Sequence, residues 1–338
     1  MRFKMLYLLL IVAGISFHSC RQGPEKKSSD NSEKPAPTEI AALTEMIMAD
    51  STDAALFDQR AKVYLAAKNH NQAMRDMLYA IELEPENYEF MITLADIYLS
   101  MGLLENCVEA LDRSIELQPG NIESMLKRSE ISIMLTKYKQ AIEYADMAIG
   151  IDKTNPLPYF MKGYAFAQAG DTINAIKSYL ETINVKQDHY DAYLELGLIY
   201  STRGNPIAID YFNNALNINP QSIEALYAMG MFYQEADDAE NAMNAYNKIL
   251  AIDPNNAFAN YNLGYVHLVL LNDYEQAIRY FEVVEQINPD YFEATFNKAY
   301  CYELLGDYQT ARDLYKEVLE KQVNYPRAIE GLNRIQGK

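Results

Sequence analysis

Few residues in this chain could act as nucleophiles, general bases or metal ligands. His70, His189 and His267 are the histidines that follow the first 20 residues. Cys107 and Cys301 lie far apart in the sequence and neither belongs to a CxxC pair, so we expect two buried free thiols without a disulfide or a zinc site. No phosphate-binding loop, HExxH, GxSxG or calcium-loop motif occurs. The sequence therefore predicts no catalytic residue, no metal and no cofactor.

Cys20 stands in a different setting from the other two cysteines. Residues 1–4 are basic, residues 5–15 are apolar, and a small residue, Ser19, precedes the cysteine. The apolar run is shorter than the roughly 20 residues that span a bilayer, and this order is typical of an export signal. The segment resembles the lipobox of bacterial lipoproteins, which implies a signal peptide at residues 1–19 and lipidation of Cys20. The alternative is a plain secretory signal followed by a chance cysteine.

Residues 20–37 are predicted to form a flexible tether. After the cysteine they contain three prolines, several serines and charges of both signs, but no large apolar side chain. A segment of this composition cannot bury a core and stays extended and flexible. A lipid on Cys20 would anchor the tether, so the folded part of the chain would lie close to a membrane surface.

The charge balance excludes one class of partner. The chain has 29 lysines and arginines against 47 aspartates and glutamates, a formal net charge of −18. A chain this acidic repels nucleic-acid phosphates and anionic lipid headgroups. We therefore expect no nucleic-acid partner.

From Ala54 onward the sequence repeats about every 34 residues. Each unit has a first helix with apolar periodicity, a short turn and a second helix, which is typical of stacked helix pairs. The fifth unit is one residue short and the seventh is one residue long. The units are 54–87, 88–121, 122–155, 156–189, 190–222, 223–256, 257–291 and 292–325.

Small residues recur at two positions of every unit. At the eighth position stand Ala61, Ala95, Ser129, Gly163, Gly197, Gly230, Gly264 and Ala299. At the first packing position of the second helix stand Ala73, Cys107, Ala141, Ala175, Ala208, Ala242, Ala277 and Ala311. Small side chains at both contact positions allow the two helices of a unit to approach closely.

This pattern resembles the tetratricopeptide repeat family from residue 54 to residue 325. The resemblance implies an all-α fold, a right-handed α-solenoid of eight helix-turn-helix units. Residues 38–53 are predicted to form an extra N-terminal helix. Residues 326–338 are predicted to form a C-terminal capping helix, apolar inside and polar outside.

The resemblance also implies a concave groove lined by the fifth and ninth positions of the first helices. In the last five units these positions carry no charge; they hold Phe160, Tyr164, Leu194, Leu198, Tyr227, Met231, Tyr261, Tyr265, Phe296 and Tyr300. Asn262 and Asn297 stand beside them, and some members of the family use such asparagines to hold a peptide backbone. An apolar row on a concave face suits peptide binding. The alternative is that neighbouring first helices bury this row between them.

These patterns predict a non-catalytic, membrane-anchored scaffold that binds peptide segments of envelope proteins in its groove. Its layout resembles that of bacterial outer-membrane tetratricopeptide lipoproteins, which implies an outer-membrane location facing the periplasm. Two alternatives stay open at this point: glycan binding, and self-association within a polysaccharide-export, secretion or pilus machine.

Overall fold

A computed structural model describes residues 36–338, with side chains from Thr38 onward. The predicted signal peptide (1–19) and the lipidated Cys20 lie outside the described residues, as does the predicted tether up to residue 35. The first helix begins at Ala36, so residues 36 and 37, which we assigned to the tether, are helical.

The described part of the chain is all-helical, as the repeat pattern predicts. Its α-helices are α1 (Ala36–Ala49), α2 (Ala54–Ala66), α3 (His70–Leu83), α4 (Tyr88–Ser100), α5 (Leu104–Leu117), α6 (Ile122–Met134), α7 (Tyr138–Ile151), α8 (Pro156–Gln168), α9 (Thr172–Val185), α10 (Tyr190–Ser201), α11 (Ile207–Ile218), α12 (Ile223–Glu235), α13 (Ala239–Ile252), α14 (Ala257–Val266), α15 (Tyr274–Ile287), α16 (Phe292–Leu305), α17 (Tyr308–Lys321) and α18 (Pro326–Arg334).

The helices from α2 to α17 form eight antiparallel pairs that stack in chain order. The even-numbered helices begin the units, and several of them start at an asparagine whose side chain accepts a backbone N–H of the first turn: Asn87, Asn121, Asn155 and Asn256. Asparagine is a favoured N-cap because its oxygen satisfies one of the unpaired donors at the helix start. The sequence thus sets the start of these first helices locally.

The extra residue of the seventh unit is absorbed in a π-helical turn. His267–Leu271 continues α14 with π-helical hydrogen bonding. The turn ends at Asn272, which has the left-handed φ of 53°. A single π turn accommodates one inserted residue without breaking the helix, so α15 still packs against α14 as the second helix does in the other units.

Aromatic rings explain why the small eighth position becomes glycine in the fourth to seventh units. Four residues after its small contact residue, the second helix carries a ring that lies directly over the glycine of the first helix. The pairs are Gly163 with Tyr179, Gly197 with Phe212, Gly230 with Tyr246 and Gly264 with Phe281. A Cβ added to Gly197 would lie 2.5 Å from two carbons of the Phe212 ring. Any side chain there would collide with a fully buried ring.

Arg60 connects the extra N-terminal helix to the first unit. The Arg60 guanidinium of α2 donates through Nε and Nη2 to Asp76 of α3, at 2.7 and 2.8 Å, and through Nη1 to Thr44 of α1, at 3.0 Å. Asp76 is buried, so its charge is compensated inside the protein. One side chain therefore joins three helices.

The first helices lie on the inner side of the stack. Within the described chain α2 packs against α4, α6 against α8 and α10 against α12, whereas successive second helices do not pack together to the same extent. Because the first helices of these three pairs approach each other more closely than any successive second helices do, the first helices lie on the inside of the curve. The side chains of the first helices that point away from the second helices form the concave surface.

Replacing Gly197 with alanine is expected to destabilise the protein by about 1–3 kcal/mol, because overpacking against the Phe212 ring outweighs the gain in helix propensity. The free energy of unfolding, from urea denaturation followed by circular dichroism, measures this. The matched control is Gly150→Ala. Gly150 lies exposed in α7 with no atom within 4 Å of an added Cβ, so this substitution should stabilise by up to about 1 kcal/mol. Equal signs for the two changes would contradict the ring–glycine contact.

Candidate functional site

The twelve residues predicted to line the groove separate into a buried set and a half-buried set. Among the fifth positions, Phe160, Leu194, Tyr261 and Phe296 are buried and Tyr227 is half-buried. Both asparagines, Asn262 and Asn297, are buried. The ninth positions are half-buried: Tyr164, Leu198, Met231, Tyr265 and Tyr300. For the buried set, the structure therefore agrees with the packing alternative; their side chains lie between successive helices.

Tyr261 shows how such a residue is held. Its ring stacks on Tyr291 at a centroid distance of 5.1 Å and packs against Phe281 at 5.7 Å. Asn297 donates from Nδ2 to the Tyr261 hydroxyl at 2.9 Å. Asn297 thus joins α16 to α14. Asn262, which is 5% exposed, lies next to Tyr227 of α12.

The ninth positions form the accessible apolar row of the concave surface; we call Tyr164, Leu198, Met231, Tyr265 and Tyr300 the ninth-position row. These residues stand at the same point of α8, α10, α12, α14 and α16, the helices on the inner side of the stack. Each is half-buried, so each packs its base on the protein and presents part of its apolar surface outward. Tyrosine and methionine suit such a surface because they supply broad contact area at low conformational cost.

A group of carboxylates borders this row, which the sequence alone did not reveal. Glu195 of α10 is half-buried. Burial, together with the neighbouring charges of Glu224 and Asp191, raises the pKa of Glu195 to about 7. The pKa of Glu224 is raised by burial and by Asp191. We call Glu195, Glu224 and Asp191 the acidic group. Acidic residues in an amphipathic helix are typical of a solvated face, so the sequence alone does not distinguish the acidic group from ordinary surface residues.

The acidic group has no cation beside it. In residues 36–338 none of its three carboxylates takes part in an ion pair or in a side-chain hydrogen bond. The first helices α10, α12 and α14 contain no lysine or arginine. The missing lysines and arginines are the sequence feature that could have indicated the acidic group.

His189 caps α10 and packs on Phe160, a buried fifth-position residue. Its Nδ1 accepts the Ala192 N–H at 3.3 Å, and its ring stacks on Phe160 at 5.0 Å. Burial lowers the pKa of His189. His267 stacks on Tyr280 at 5.4 Å. Cys107 and Cys301 are buried free thiols, as predicted, and burial raises their pKa to about 11 and about 12.

Within residues 36–338 no group of three histidine, cysteine or acidic side chains is arranged to hold a metal ion. Over the same residues, every helix is too short or too polar to pass through a bilayer.

Comparisons with known proteins match the repeat architecture. Family models described as tetratricopeptide repeat match residues 64–128 and 268–335, residues 245–279, and residues 223–256. Over 144 residues the chain is 28% identical to anaphase-promoting complex subunit 3 of Schizosaccharomyces pombe, covering 42% of this chain and 22% of that protein. The chain thus spans less than a quarter of that subunit.

Two solved structures share the fold. One is the C-terminal part of a tetratricopeptide repeat-containing protein from Cytophaga hutchinsonii, with a TM-score of 0.63 and 18% identity, covering 73% of this chain and 99% of that one. The other is a tetratricopeptide repeat protein from Parabacteroides merdae, with a TM-score of 0.51 and 16% identity, covering 74% and 99%. At these identities the likeness shows the fold alone.

Glu195→Gln is expected to change how stability depends on pH. The folded pKa of about 7 lies above the ordinary value of 4.5, so between these values the folded chain keeps a proton that the unfolded chain releases. The free energy of unfolding of the wild type therefore contains a contribution that falls as the pH rises through this window. E195Q lacks it, and should gain about 1–3 kcal/mol relative to the wild type between pH 4.5 and pH 8.

Urea denaturation of both proteins at the two pH values measures this difference. Glu181→Gln on the exposed surface of α9 removes the same charge and serves as the control. If the free energies of unfolding of E195Q and of the wild type change in parallel with pH, the prediction of a raised pKa for Glu195 is wrong.

Proposed function

Because the chain is a solenoid of tetratricopeptide repeats, we propose that it is a non-catalytic scaffold whose concave surface binds segments of other proteins. The single observation that carries this proposal is the ninth-position row. Five consecutive inner helices each present one half-buried apolar side chain at the same point. A contiguous apolar row of this kind is rarely left exposed unless it binds something.

The row suits an elongated protein segment. A segment lying along it would meet one side chain from each of five units, so the binding energy would be spread over several repeats. The buried Tyr261 and Asn297 support the surface from below; the half-buried rings of Tyr164, Tyr265 and Tyr300 form part of it. Because the surface rests on packed helices, it is pre-organised, and binding orders only the ligand.

We further propose that the scaffold is attached to a bacterial outer membrane through lipidated Cys20 and acts on envelope proteins at the periplasmic side. The support comes from the sequence of residues 1–20, which resembles a lipoprotein signal, and from the polar composition of the tether after it. Acyl chains on the cysteine would hold the protein at the bilayer. The tether would leave the concave surface free to meet other proteins.

Photo-crosslinking tests the concave surface. Benzoylphenylalanine replaces Leu198 in the ninth-position row, and in the matched control it replaces Ile173, which is 66% exposed on the second helix α9. We expect the Leu198 position to crosslink a small set of proteins that the Ile173 position does not, and Tyr265→Ser to reduce these crosslinks because it removes a contact two units away. Identical products at both positions would contradict the proposal.

The anchor is tested by Cys20→Ser. In cells fed a labelled fatty acid, the wild type is expected to carry label and to sediment with membranes, whereas the serine variant is expected to carry none and to appear in the soluble fraction. Cys107→Ser removes a buried thiol and should leave labelling unchanged. Membrane attachment of the Cys20 variant would contradict a lipid anchor at this residue.

A further inference from the structure

The C-terminal end of the solenoid shows how this fold holds a guanidinium group. Arg334 of α18 donates from Nε and Nη2 to the two carboxylate oxygens of Glu303, at 2.8 and 3.0 Å. Its guanidinium carbon lies 5.6 Å from the centre of the Tyr300 ring. The buried Tyr315 donates its hydroxyl proton to the same carboxylate at 2.6 Å. A carboxylate, a ring and a buried hydroxyl thus surround one guanidinium.

The fourth unit repeats two of these groups at equivalent positions. Tyr164 is the ninth residue of α8, as Tyr300 is of α16. Tyr179 is the eighth residue of α9, as Tyr315 is of α17. The Tyr164 ring and the Tyr179 hydroxyl therefore stand in the α8–α9 pair where the Tyr300 ring and the Tyr315 hydroxyl stand in the α16–α17 pair.

Glu195 supplies the carboxylate from the following helix. Glu195 is the sixth residue of α10, and Gly331 is the sixth residue of α18, so the two positions are equivalent. A Cβ added to Gly331 would lie 2.4 Å from the ring carbon of Tyr315 that bears the hydroxyl. By this equivalence the Glu195 backbone lies at the hydroxyl end of Tyr179. In agreement, Glu195 is among the groups that raise the pKa of Tyr179 and of Tyr164, after burial.

The Tyr179 hydroxyl has lost the partner that its counterparts keep. Tyr246 and Tyr315 donate to Gln234 and Glu303, twelve residues before them. Twelve residues before Tyr179 stands Ala167, which cannot accept a hydrogen bond. The Tyr179 side chain is fully buried, and its hydroxyl has no hydrogen-bond partner in the described chain. A buried hydroxyl without a partner costs free energy, and by the equivalence above this one faces the segment of α10 that carries Glu195.

We propose that Tyr164, Tyr179 and Glu195 form a site for the guanidinium of an arginine side chain carried by the protein segment that binds the concave surface. The inference rests on the proposed function and specifies the chemistry of its ligand. Glu195 would accept two parallel N–H bonds, Tyr164 would stack on the planar group, and Tyr179 would donate to the carboxylate, as Tyr315 does. Asp191 and Glu224 add negative charge nearby. Arginine fits better than lysine because its planar fork matches a carboxylate and stacks on a ring.

A fluorescein-labelled nonapeptide with one central arginine between leucines serves as the probe, and the same peptide with citrulline, which is uncharged and nearly isosteric, is its control. Fluorescence anisotropy measures both dissociation constants. The arginine peptide is expected to bind the wild type more tightly than the citrulline peptide, and E195Q to lose about tenfold in affinity for the arginine peptide alone, as expected for one charge-assisted pair.

Two variants separate the site from general attraction to an acidic protein. Glu181→Gln on the outer surface of α9 removes an equal charge and should leave both affinities unchanged. Tyr179→Phe removes only the hydroxyl; it should keep or raise stability, since the hydroxyl is unpaired, and should weaken binding of the arginine peptide several-fold. Circular dichroism confirms that each variant is folded.

Equal binding of the arginine and citrulline peptides, equal losses in E195Q and E181Q, or no binding of the arginine peptide would overturn the arginine site. Such results leave the crosslinking at Leu198 unaffected, so the scaffold function can stand while the arginine site fails. If the crosslinks also fail, the concave surface itself is not a binding surface.

Discussion

The contact between a second-helix ring and the backbone of its first helix is the constraint on which the rest of this solenoid depends. In the fourth to seventh units a fully buried Tyr or Phe ring occupies the space that a Cβ at the eighth position would need. The ring sets the distance between the paired helices. In the first two units the second helix offers Met77 or Leu111 instead and the eighth position is alanine, whereas in the eighth unit the Tyr315 ring lies over Gly331 of α18 and Ala299 is retained.

This packing decides which side chains remain available for binding. The paired helices pack closely, and four of the five fifth-position side chains are buried; the Tyr261 hydroxyl, for example, accepts a hydrogen bond from Asn297 inside the protein. The ninth positions remain partly open, together with Tyr227 among the fifth positions. The binding surface of the scaffold is therefore a narrow row of side chains that rests on a layer of packed helices. The packing that stabilises the solenoid also sets the shape of this surface.

Charge is distributed differently along the inner helices. In the first units two acids of these helices have basic partners: Asp58 is paired with Lys62 and Asp96 with Lys127, both at 2.6 Å. From α10 to α14 the inner helices carry no basic residue, and Glu195 remains as a half-buried carboxylate with a raised pKa. Burying a charge without a partner is costly, and an incoming cation would remove that cost. The middle of the concave surface therefore favours a ligand that brings its own positive charge.

The sequence by itself determined the repeat, the all-helical architecture and the close-contact positions, because these follow from periodicity and side-chain size, which are local properties. It also indicated the inner positions of the last five units. Only the tertiary structure decided that Tyr261 and Phe296 are covered while Tyr265 and Tyr300 are partly open, because exposure depends on how tightly the next unit packs. For the same reason the Glu195–Tyr179 juxtaposition was invisible in the sequence: its members belong to different helices, and their burial arises only when successive units stack.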